Sequence, residues 1–159
     1  MPSQKPIKGS PFLGPNSLNI DLYADADGVF APLVLDARVE GPPGHAHGGF
    51  SAALLDETMG AAVWRAGFQA VAAHISFDFH KPVPLAQEVQ VRGWVETQDG
   101  RKVHARSEIR LPDGQLAVSG RGIFVHAPHL FEHMAPEYAD AFRSEDEIAE
   151  DEIADDAQG

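Results

Sequence analysis

Apolar residues run almost unbroken from Phe50 to Trp64, with Ala and Leu prominent and no proline. Such a stretch predicts a helix buried on nearly every side rather than a surface amphipathic helix. Gly67 stands where a helix of that length would end in a left-handed C′ residue. Downstream the pattern shifts to alternation. Val71 to His80 sets Ala73, Ile75, Phe77 and Phe79 on one face and His74, Ser76, Asp78 and His80 on the other. Lys81-Pro82-Val83-Pro84 stops this strand. Strands are predicted over Glu88–Thr97, Lys102–Leu111 and Gln115–His126, with turns at Gln98-Asp99-Gly100 and Pro112-Asp113-Gly114. Upstream, Ser17–Tyr23 and Val29–Val39 read as strands around the turn Asp25–Gly28. Pro32 marks the second as an edge or a bulge. A short helix is predicted over Phe131–Phe142. The sum is an α+β domain, an antiparallel sheet of hairpins wrapped around one long helix.

Residues 1–16, rich in Pro, Gly and Ser, form an N-terminal arm in this reading, 17–130 the domain, and 131–159 a C-terminal extension. The extension ends acidic: residues 144–159 hold eight Asp and Glu and no Lys or Arg, which predicts a frayed or disordered solvated tail. It carries much of the net charge of −12 and leaves −4 on the rest. That balance argues against nucleic acid and anionic membranes as partners. The absence of cysteine removes disulfides, thiolate metal sites and cysteine nucleophiles, and fits a reducing, cytoplasmic setting. The first eight residues lack the apolar run of a signal peptide, and no stretch is apolar enough to span a membrane.

Within the apolar helix only Asp56 and Glu57 carry charge. A carboxylate there is costly unless paired or used. Neighbours on a helix point about 100° apart, so one can face a crevice and the other solvent or an ionic partner. Asp56 is the candidate for chemistry and Glu57 reads as a surface or salt-bridged residue. Gly48-Gly49 leaves backbone N–H groups open at the helix start, where anions and carbonyl oxygens are favoured. His45-Ala46-His47 has chelate spacing, but no third ligand stands close in sequence, so no metal is expected. His47 reads instead as a hydrogen-bonding residue at the helix entrance. Ser51 lacks the flanking glycines of a nucleophile elbow. Lys81, Arg101 and Lys102, at strand ends and turns, form a candidate basic rim for a phosphate-bearing ligand.

The segments His47-Gly48-Gly49 with Asp56, Phe77-Asp78-Phe79-His80-Lys81-Pro82-Val83-Pro84 and Asp99-Gly100-Arg101-Lys102 together resemble hotdog-fold acyl-CoA thioesterases, over roughly residues 17–127. The nearest branch is the phenylacetate-pathway and 4-hydroxybenzoyl-CoA thioesterase type. The resemblance implies acyl-CoA hydrolysis without metal or cofactor. It implies Asp56 as catalytic carboxylate, the Gly48 N–H as polariser of the thioester carbonyl and His47 as a substrate-orienting residue. It also implies Asp78, His80, Lys81, Gly100, Arg101 and Lys102 as CoA contacts. One departure is that Gly41-Pro42-Pro43-Gly44 carries no side-chain amide where many relatives place an Asn or Gln, leaving the second oxyanion donor unassigned. Gly48 and Asp56 lie eight residues apart, roughly 12 Å along a helix. If both act on one thioester they come from two subunits, which predicts a homodimer or a dimer of dimers. The alternative function is a non-catalytic hotdog module that binds acyl-CoA or a fatty acid.

Overall fold

The computed structural model describes residues 5–6, 18, 20–134 and 145–158. One long helix, α1 (Gly48–Arg65), lies against an antiparallel sheet of seven strands: β1 (Lys5–Pro6), β2 (Tyr23–Asp25), β3 (Gly28–Val34), β4 (Ala70–Phe79), β5 (Glu88–Asp99), β6 (Lys102–Arg110) and β7 (Leu116–His126). Their order in the sheet is β1-β2-β3-β5-β6-β7-β4. This is the α+β hotdog architecture expected from the sequence.

The helix begins two residues before the apolar run and ends as expected. Gly67, at φ +96°, follows the capping residue Ala66. Gly67 N–H donates to Trp64 C=O at 2.9 Å and Phe68 N–H to Val63 C=O at 3.2 Å, closing the last carbonyls in a Schellman motif. Leu54, Leu55, Met59 and Val63 are fully buried against Val91, Val103, Ile109 and Val118 of the sheet. The helix is not enclosed all round. Ala53 and Asp56 are exposed and Gly60 half-exposed, so one stripe of small residues lies open.

Sheet and helix touch most closely at Gly93 on β5. A Cβ there would stand 2.7 Å from the Thr58 carbonyl oxygen and 2.8 Å from its Cγ2. Only glycine admits this approach. Thr58 is fully buried, and its hydroxyl donates to Leu54 C=O at 2.6 Å, so it needs no partner from the sheet. On the far side of the sheet Arg92 holds both Asp25 carboxylate oxygens at 2.8–2.9 Å, tying the β2–β3 hairpin to β5. Partial burial disfavours the charge on Asp25. Arg92 and the N–H groups of Asp27 and Gly28 outweigh it and hold the carboxyl below its ordinary value.

Several boundaries differ from expectation for local reasons. Of the strand predicted over Ser17–Tyr23, residues 17 and 19 lie outside the described residues and the paired strand is Tyr23–Asp25: the β2–β3 ladder stops at Tyr23↔Phe30, two residues short of Pro32, which has no N–H to give. Strand β3 ends at Val34, because Asp36 caps a 3-10 turn at Ala37–Val39 by accepting from Arg38 N–H at 2.9 Å. Part of the N-terminal arm pairs: Lys5 and Pro6 lie against Ala24 and Tyr23. Strand β4 carries a bulge between Ala72 and His74, so Ala73 leaves the predicted face; Ile75 and Phe77 stay half-buried while Phe79 is 56% exposed. Of the predicted 131–142 helix, the structure has a 3-10 turn at Pro128–Phe131, and residues 135–142 lie outside the described residues. The acidic tail is the largest correction. Residues Glu145–Asp156 form a second helix, α2, and Glu147 makes a two-point ion pair with Arg65 at 2.9 and 3.1 Å. Glu and Ala are good helix formers, and a bidentate guanidinium–carboxylate pair ties the helix to the end of α1.

Gly93→Ala is expected to lower stability by about 1–3 kcal/mol, the usual range for overpacking, because backbone rather than a flexible side-chain tip opposes the new methyl. Urea unfolding reads it directly. An unchanged midpoint would mean that α1 sits further from β5 than this geometry requires.

Candidate functional site

The entrance to α1 is built by the loop before it. His47 N–H donates to Val39 C=O at 2.8 Å, Ala46 N–H to Val83 C=O at 2.9 Å, and Leu85 N–H to Gly44 C=O at 3.0 Å. Gly41 fits only as glycine, since a Cβ would stand 2.6 Å from the His47 Cα. His47 is the N-cap: its Nδ1 accepts from Gly49 N–H at 2.9 Å. That bond assigns the proton of the neutral ring to Nε2 and leaves an N–H donor free for other use. Gly49 has a steric reason as well, because a Cβ there would lie 3.0 Å from the imidazole.

Gly48 is the first helical residue. The helical ladder starts with Ser51 N–H on His47 C=O, so the Gly48 N–H falls outside it. Gly48 is exposed and lines a crevice of about 340 Å³ with Ser51, Phe79, His80, Lys81 and Val83. The Phe79 ring stands 3.6 Å from where a Gly48 Cβ would be. Gly48, at the positive end of the helix dipole, therefore borders a partly apolar crevice.

Asp56 opens into a different crevice, of about 370 Å³, between the exposed stripe of α1, the start of β4 and the aromatic rings of Trp64, Phe124 and Phe131. No hydrogen bond or ion pair reaches its carboxylate among the described residues. Although Asp56 is exposed by area, the crevice walls strip enough water from it to raise its pKa, with no opposing cation. Glu57, expected at the surface or in a salt bridge, is the neighbouring acid. It is half-buried and lines the same crevice instead of turning to the surface. Their 100° separation only spreads the two carboxylates over adjoining walls.

The predicted CoA contacts divide into two groups. His80 and Lys81 lie at the Gly48 end: both of their N–H groups donate to Ala117 C=O, His80 Nε2 meets Ser119 Oγ at 2.9 Å, and Lys81 Nζ donates to Gln115. Asp78 is exposed nearby on β4, opposite Ser119. Gly100, at φ +57°, turns β5 into β6 and presents Arg101 and Lys102 at the other end. There, Arg101 Nε donates to His126 C=O at 3.3 Å, and His126 pairs with Ala70, a wall of the Asp56 crevice. Ala117 and His126 are nine residues apart on β7, roughly 30 Å at the strand rise. Within one chain, then, Lys81 accompanies Gly48 while Arg101 and Lys102 accompany Asp56.

His45 and His47 do not converge as chelators. His45 Nδ1 is 2.9 Å from Pro43 C=O, and His47 Nδ1 is engaged by Gly49.

Comparison with known proteins bears on this segment. Residues 43–118 match the thioesterase superfamily. The chain is 39% identical over 79 residues to acyl-coenzyme A thioesterase THEM4 of Xenopus laevis, a stretch that covers 49% of this chain and 35% of that protein. It spans about a third of the length of the curated relatives it matches. A crystal structure of a thioesterase superfamily protein superposes with a TM-score of 0.68 at 34% identity, covering 74% of this chain and 59% of the other. The structure of smu.793 from Streptococcus mutans, bound to acetyl CoA, shares the fold with a TM-score of 0.64 at 19% identity, over 69% and 89% of the two chains. The chain has the hotdog fold, and its segment 43–118, which holds His47, Gly48, Asp56, Asp78, His80 and Lys81, is similar to the thioesterase superfamily.

Proposed function

We propose that this protein hydrolyses acyl-CoA thioesters at a site shared between two copies of the chain. The observation that carries this reading is one helix bearing both a partly desolvated Asp56, with no partner among the described residues, and a Gly48 N–H outside the helical ladder, inside the segment similar to thioesterases. The Gly48 N–H, at the positive helix end, stabilises the developing oxyanion. Asp56 either takes a proton from a water that attacks the carbonyl, or attacks the carbonyl itself to form an anhydride that water then opens; in both routes the C–S bond breaks and CoA leaves as a thiolate that is protonated to the thiol. His47 Nε2–H orients the substrate.

Two features support the shared site. The crevices of Gly48 and Asp56 are separate in one chain. Strand β4 is the last strand of the sheet, exposed at most of its positions, beside the open stripe of α1. A two-fold partner pairing along β4 brings antiparallel helices together and each Gly48 toward the other Asp56. The basic residues then combine. Lys81 from one chain and Arg101 with Lys102 from the other border one site, where they hold the CoA phosphates. By its motifs we assign the chain to the phenylacetate-pathway and 4-hydroxybenzoyl-CoA thioesterase branch that they resemble. Non-catalytic acyl-CoA binding is the outcome if wild-type protein binds acyl-CoA but releases no thiol.

Asp56→Asn is expected to lower kcat by about 10²-fold or more, the lower range for loss of a general base. Because burial raises the Asp56 pKa, wild-type kcat should fall with decreasing pH through a midpoint above the ordinary ~3.9 of aspartate. The same shift has a stability sign. A carboxyl easier to protonate when folded stabilises the protein at low pH, and that gain is lost as pH rises from the unfolded to the folded pKa. Asp56→Asn should therefore raise Tm at neutral pH while abolishing turnover. Full activity in the variant would remove Asp56 from the chemistry.

Mixing tests the shared site. Gly48→Val places branches against Phe79 and blocks the N–H; Asp56→Asn removes the carboxylate. Each homodimer should be inactive, while the mixed dimer holds one intact site and recovers part of wild-type activity. Confirmed mixed dimers without activity would place Gly48 and Asp56 on different chemistry.

Charge reversal at Arg101 and Lys102 together is expected to raise KM for acyl-CoA more than it lowers kcat, since ground and transition states share these contacts. An unaltered KM would move the CoA phosphates elsewhere.

A further inference from the structure

The face of α1 that carries Asp56 continues at helical spacing through Gly60 to Trp64. Gly60 has no conformational need to be glycine, since it sits mid-helix, where glycine costs about 1 kcal/mol against alanine. Nor does packing among the described residues require it: a Cβ built there meets none of them within 4 Å. It lines the same crevice as Asp56 and leaves space one helical turn beyond the carboxylate. One turn further the space ends. The Trp64 ring is fixed by its Nε1–H on Ala70 C=O at 3.1 Å, and Phe131 stands edge-on to it, with ring centroids 4.9 Å apart at 83°. Phe131 comes from the 3-10 turn after β7, outside the segment 43–118 that is similar to thioesterases.

We propose that the space over Gly60 receives the acyl group and that the Trp64–Phe131 pair closes its far end, so that the protein selects short acyl groups. The inference rests on the thioesterase reading of Asp56 and adds the substrate class. From Asp56 to Trp64 the helix advances roughly 12 Å, and the indole and phenyl rings take up part of that length. A butanoyl or hexanoyl chain lies within it, and a palmitoyl chain does not. The walls are mostly apolar, as an alkyl chain requires.

The experiment measures kcat/KM for acetyl-, butanoyl-, hexanoyl- and palmitoyl-CoA, and affinity for the S-hexyl and S-hexadecyl thioethers of CoA, which cannot be hydrolysed. Wild type should prefer hexanoyl over palmitoyl by tenfold or more, and S-hexyl over S-hexadecyl likewise. Phe131→Ala should erase both preferences and leave acetyl-CoA turnover within about twofold. Phe131→Leu, which keeps most of the packing, should shift them partway. Gly60→Leu should depress hexanoyl turnover and S-hexyl binding tenfold while sparing acetyl-CoA. A wild-type enzyme indifferent to chain length, or a Phe131→Ala profile identical to wild type, overturns the inference. Dissociation of the dimer by Gly60→Leu also overturns it, because the space would then belong to a second copy of the chain. If wild type turns over no acyl-CoA, the thioesterase reading fails on its own, and the thioether affinities still decide whether Phe131 limits chain length.

Discussion

The close approach of α1 to the sheet at Gly93 is the constraint on which the other positions depend. With Thr58 carbonyl and methyl pressed to where a Cβ would be, the helix cannot slide along β5 or rise from it without losing this close contact. Asp56 stands two residues before Thr58, on the side turned away from the sheet. Fixing one side of the helix fixes the other. The Schellman ending and the His47 cap then hold the two ends, so a single rigid element carries both candidate groups at a set separation.

Rigidity of that kind explains why the two crevices stay distinct. A flexible segment could fold a carboxylate back toward an N–H; a helix of eighteen residues cannot. The two candidate groups stand at its start and its middle, and the sheet repeats the division, with Lys81 at one end of β7 and Arg101 at the other.

Much of this was legible in the sequence because local physics determines it. Gly67, Gly100 and Gly114 all have positive φ where the turn pattern requires it, and α1 departs from the apolar run by only a residue or two. Asp56 stood out because charge in an apolar helix is costly. What escaped notice depends on contacts distant in sequence. Nothing around Ala73 signals that β7 will pair with one residue fewer than β4 supplies. Eight acids read as disorder until Arg65, eighty-two residues from Glu147, gives the segment an anchor. The angle between neighbours on a helix did not reveal that Glu57 is half-buried in the same crevice as Asp56. Phe131 carried no signal at all, since its role comes from the indole it meets.

The bulge at Ala73 has a consequence for the newly made chain. Strand β4 leaves a long row of unpaired backbone groups at the margin of the sheet, the kind of template on which foreign strands nucleate aggregates. An extra residue halfway along interrupts the even spacing of that row and adds local twist. A flat strand from an unrelated chain can match only half of it. The bulge thus acts against uniform strand addition along the exposed margin of the sheet.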